Sequence, residues 1–100
     1  MTTVAFRRLL AYLRKAFPVG CGVNVRRCVR KESASTTFDG RQYRIRINRL
    51  QDHRGQVDSL LHEWAHVRAI EQAYQHDGTW GQIFAKIYES WAQDFYEEPE

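Results

Sequence analysis

His62-Glu63-Trp64-Ala65-His66 is the stretch around which the rest of the chain has to be arranged. On an α-helix, residues four apart share a face, and a rise of about 1.5 Å per residue sets them roughly 6 Å apart along the axis. Two imidazoles so placed can converge on one metal ion, and zinc accepts neutral His nitrogens as two corners of a tetrahedron. Glu63 then stands beside the metal, where a general base for a zinc-activated water belongs. The same segment must also be anchored, and Val57, Leu60, Leu61, Trp64 and Val67 recur as an apolar stripe distinct from the His62/His66 face. The start of this helix is expected near Asp58 or Ser59, where an acceptor or a negative charge is favourable.

A catalytic zinc site needs a third protein ligand. The chain holds four histidines, and His76 follows His66 after nine intervening residues, in Gln75-His76-Asp77-Gly78-Thr79-Trp80-Gly81. A turn between Glu71 and Gly81 can bring His76 back over the pair. Asp77 has two readings: it orients a ligand imidazole through its second nitrogen, or it replaces His76 as third ligand. After this turn, Trp80, Ile83, Phe84, Ile87, Tyr88, Trp91 and Phe95 repeat at helical spacing. They read as core, on a helix that starts at Thr79 with Gln82 completing a capping box.

The pattern resembles the minimal zincin metallopeptidases, in particular the SprT-like group and related small bacterial and phage domains. In these, His-Glu-x-x-His is followed by a third His in a short loop, often as His-x-x-x-Trp-Gly at the head of another helix. Leu61 to His66, then His76 through Trp80-Gly81, match that arrangement. The resemblance covers the C-terminal half, favours His76 over Asp77 as third ligand, and implies one Zn2+ per chain. The activity it implies is hydrolysis of a peptide or protein substrate: water at the open zinc corner attacks the carbonyl while Glu63 takes and returns the proton. Tyr74, Tyr88 and His53 are the candidate oxyanion donors. SprT-like proteins are also associated with proteins bound to DNA, although the Cys-rich zinc ribbon that many of them carry is absent from this sequence.

The first half is read from its own residues. Thr2 or Thr3 can cap a helix that buries Phe6, Leu9, Leu10, Leu13 and Phe17 and ends at Pro18 and Gly20. Its basic side, Arg7, Arg8, Arg14 and Lys15, suits a membrane surface or a targeting segment, but packing on a sheet is the expected role. Cys21 to Lys31 reads as a half-exposed strand, Lys31 to Thr37 as a polar connector, and Phe38-Asp39-Gly40 as a turn. In Arg41 to Asn48, Tyr43, Ile45 and Ile47 alternate with Arg44 and Arg46, as in a strand with one face on the core. Zincins commonly receive extended substrate on the strand bordering the active-site helix. The resemblance therefore makes Tyr43, Ile45 and Ile47 candidates for the substrate-binding strand, with internal pairing as the alternative.

These elements add up to an α+β, zincin-like domain over residues 1–96 with a frayed acidic tail at 97–100. Its expected order is an N-terminal helix, a small mainly antiparallel sheet, the His-Glu-x-x-His helix, the third-ligand loop and a C-terminal helix. One hundred residues with 43% apolar and 13% aromatic content can bury one modest core. Cys21 and Cys28 do not form a disulfide framework. The lack of a leader or of a long apolar run argues for a cytoplasmic protein with no membrane partner. Charge is divided, with 13 basic against 3 acidic residues up to Arg54 and 2 against 9 thereafter. The basic residues read first as solvated sides of a helix and two strands, partly answered by the acidic second half; the alternative is a face that meets DNA or a DNA-bound protein. A second reading of the chain follows, a metal-stabilised module that binds nucleic acid or a protein partner without turnover.

Overall fold

The computed structural model describes residues 1–72 and 79–94. They form three helices and three strands: α1 (Thr3–Ala16), β1 (Gly22–Cys28), β2 (Ala34–Phe38), β3 (Gln42–Asn48), α2 (His53–Gln72) and α3 (Thr79–Asp94). The architecture is α+β, and its sheet departs from the expectation.

The sheet order is β1-β3-β2, with β1 parallel to β3 and β2 antiparallel to it, so the sheet is mixed and not mainly antiparallel. The chain path explains this. β2 and β3 are joined by a tight hairpin in which Gly40 takes a positive φ of 96° and Asp39 Oδ1 accepts from the amides of Arg41 and Gln42, each at 2.9 Å. The short link from β1 to β2 passes the end of β3, so β2 reverses β1 and β3 reverses β2. β1 and β3 are left running the same way, with β2 and its turns as the crossover.

β2 lies in the segment expected to be a connector. Its polar Ser35, Thr36 and Thr37 conceal a two-residue alternation in which Ala34, Thr36 and Phe38 stand opposite Ile47, Ile45 and Tyr43. An edge strand beside a solvated face tolerates such polarity.

α1 is capped as its sequence requires, with Thr2 Oγ1 accepting from the Ala5 amide at 3.0 Å. α2 starts at His53, five residues before Asp58. Asp52 is its cap, its Oδ1 accepting from Gly55 N at 2.8 Å. A Cβ at Gly55 would come within 3.0 Å of that oxygen and 3.1 Å of Gln51 Cβ. The polar run and the glycine that hide this helix start from a periodicity reading are what the tight cap needs.

The apolar stripe of α2 is buried as expected: Val57, Leu60, Leu61, Trp64 and Val67 join Leu9 and Leu13 of α1, Ile45 and Ile47 of β3 and Ile87 of α3 in one core. α2 also holds the α1–β1 link by three side chains a turn apart. Trp64 Nε1 donates to Phe17 O at 2.9 Å, Arg68 donates to Pro18 O at 2.6 Å, and Glu71 accepts from Gly20 N through both oxygens at 2.9 and 3.0 Å. Both cysteines are free thiols. Partial burial, then the charge of Glu71 and a hydrogen bond to it, push the Cys21 thiol up. No helix among the described residues is long and apolar enough to cross a membrane.

Candidate metal centre

α2 presents His62 and His66 on the side away from its buried stripe. Their Nε2 atoms are 3.0 Å apart, and the rings meet edge to face with centroids 4.7 Å apart. Phe84 of α3 packs its ring against His62 at 5.7 Å. Two nitrogens on a tetrahedral zinc at the usual bond length are separated by about 3.3 Å. The pair therefore stands near the chelating distance with the backbone helical throughout.

Burial holds the His66 imidazole below the ordinary histidine value; the charge of Glu63 opposes this and that of His62 adds to it. Burial thus favours the uncharged imidazole of His66, which is the form a metal needs.

Glu63 differs from the two histidines. It is buried, 7% exposed, and the ligand atoms of His62, Glu63 and His66 all lie within 4.8 Å of one another. Thr36 Oγ1 of β2 donates to Glu63 Oε1 at 3.1 Å. A buried carboxylate without such a donor would bear a large desolvation cost. Here one oxygen is held by the sheet, and the group remains within reach of the imidazoles. The donor set of two imidazole nitrogens with an adjacent carboxylate fits zinc, so the residues present suit the ion that the motif implies.

The other expected site residues are placed as follows. His76, Asp77 and Tyr74 lie outside the described residues. His53 is exposed in the first turn of α2, nine residues and hence about 14 Å along the axis from His62. Tyr88 reaches the same end of the helix, its hydroxyl accepting from Arg54 at 2.8 Å. Tyr43, Ile45 and Ile47 are core residues of the central strand, paired on both sides. The proposed substrate role of that strand is therefore corrected, because β3 has no free backbone edge to offer a peptide. Thr36 is the site residue that the sequence reading missed, and the concealed alternation of Ala34, Thr36 and Phe38 was the one signal that could have found it.

Comparison with protein-family models, curated proteins and solved structures returns no match in any of the three.

Proposed function

We propose that this chain is a zinc-dependent peptidase with Glu63 as its general base. The observation that supports this reading is the His62–His66 pair at 3.0 Å with a buried carboxylate in the same cluster. His62 and His66 would hold the ion, with His76 as the third ligand. A bound zinc supplies a Lewis acid for the peptide carbonyl and lowers the pKa of its water to about 7. Glu63 accepts the proton of the attacking water and returns it to the leaving amine, and Thr36 fixes the carboxylate for that transfer. Among the described residues β2 is an edge of the sheet, and it carries Thr36 beside Glu63, so its outer side is the sheet edge that an extended substrate would join.

Glu63→Gln keeps the imidazoles and removes the base. The expected outcome is stoichiometric zinc by elemental analysis and loss of hydrolysis of an unfolded protein. An undiminished cleavage rate would refute the general-base assignment, and wild-type chain refolded with zinc but holding none would refute the metal reading itself.

A further inference from the structure

A groove of about 800 Å³ lies between α1 and the outer side of β1, and five arginines line it: Arg7, Arg14, Arg26, Arg27 and Arg49. Among the described residues no carboxylate lines it. The first 54 residues contain only three acids, and each is engaged elsewhere. Glu32 pairs with Arg30, Asp39 with Arg44, and Asp52 caps α2.

The five guanidiniums fall into two groups. Arg27 donates to Met1 O, Gln56 and Thr3 and lies over the Phe6 ring at 4.8 Å, while Arg14 donates to Val23 O at 2.9 Å. These two build the walls. The guanidiniums of Arg7, Arg26 and Arg49 make no hydrogen bond or ion pair among the described residues, so they carry charge that no fold contact uses. Like charges held together without counter-charge repel, and such a cluster is stabilised by an anion that bridges it.

We propose that this groove binds the phosphate backbone of a nucleic acid without reading its bases. The array is extended: Arg7 and Arg14 are two turns apart on α1, roughly 10 Å, which suits a row of phosphates better than one. Arginine matches phosphate oxygens with paired N–H donors. Phe6, the one aromatic among the described residues that line the groove, is covered by Arg27, so its ring is not offered for base stacking. An acidic peptide added to β1 as a strand fits less well, because Arg14 already holds the Val23 carbonyl. The groove lies along β1 and the metal centre faces β2, on opposite edges of the sheet, so neither site needs the other.

The test is fluorescence anisotropy with a labelled 20-base-pair duplex from 25 to 200 mM salt, on the full chain. Wild type should bind at low salt with a steep linear dependence of log affinity on log salt. Arg7→Gln/Arg26→Gln/Arg49→Gln should weaken binding at least tenfold and flatten the slope by about 3, since each lost duplex phosphate contact removes about 0.9. Arg7→Gln/Arg49→Gln serves in its place should the triple variant fail to give the wild-type circular dichroism spectrum. Lys15→Gln/Lys31→Gln/Arg41→Gln removes the same charge outside the groove and should cost less than threefold. Glu63→Gln should bind DNA as wild type does, which separates failure here from failure of the peptidase reading. Equal losses in both triple variants, no binding at 25 mM salt, or competition by poly-glutamate as strong as by unlabelled duplex would each overturn the proposal.

Discussion

Thr36 makes a direct hydrogen bond to Glu63 from a strand that the sequence conceals, and its hydroxyl is the part that matters. Thr36→Val preserves shape and β-propensity but leaves one oxygen of a buried carboxylate without its donor. The loss of a hydrogen bond to a charged group costs about 1.5–3 kcal/mol. The expected result is retained zinc, kcat lowered by about tenfold or more, and recovery in Thr36→Ser. Unchanged kcat with an unchanged pH profile would show that Thr36 only fills space. Asp39 offers a test of the hairpin. The amides of Gln42 and Arg41, then the nearby Arg44, hold its carboxyl below the ordinary value of 3.8. A lowered carboxylate pKa contributes stability above the unfolded value, and that contribution disappears as pH falls through the folded value. Thermal melts of wild type between pH 5 and 2 should therefore decline more steeply below about 3.8 than those of Asp39→Asn, and parallel curves would exclude Asp39 as the source.

At the level of the element, α2 does two jobs with two faces. Leu60, Leu61 and Trp64 fix the helix in the core while His62 and His66 remain accessible to solvent. Substituting Leu61→Ala should cost about 2–5 kcal/mol by urea unfolding, through lost burial and the cavity left behind. Zinc should still bind the folded fraction, because both imidazoles lie outside the buried core that holds Leu61. The N-terminal end of α2 is a separate dependency. Asp52→Ala removes the cap and should cost about 1 kcal/mol. A loss within error would mean that Gln56, bonded to Arg49 O and Gln51 O, secures this end unaided.

For the whole molecule, the size of the core makes metal a plausible structural partner as well as a chemical one. A 100-residue domain has little stability in reserve, and a ligand at a hundred times its Kd adds about 2.7 kcal/mol. At 4–8 °C per kcal/mol, the melting temperature should fall by about 10 °C or more on chelation and return with zinc. No change on chelation would mean that the folded chain does not hold zinc. The charge division belongs to this level too. The basic half encloses the groove along β1, and α2 and β2 carry the His62, Glu63 and His66 cluster at the opposite edge of the sheet.

Local chemistry was legible in the sequence. Thr2 capping α1, the turn at Asp39-Gly40, the alternation of Tyr43, Ile45 and Ile47, and the two faces of α2 all depend on residues a few positions apart, whose spacing fixes their geometry. The His62, Glu63 and His66 cluster is of the same kind, since one helical turn brings it together. Tertiary structure decided what spacing cannot encode. β3 became central, and lost its assigned substrate role, because a short link carries the chain past its end to β2. Thr36 met Glu63 across 27 positions for the same reason. The arginines of α1, β1 and the segment after β3 became one groove because strand order, and not sequence order, sets which side chains are neighbours.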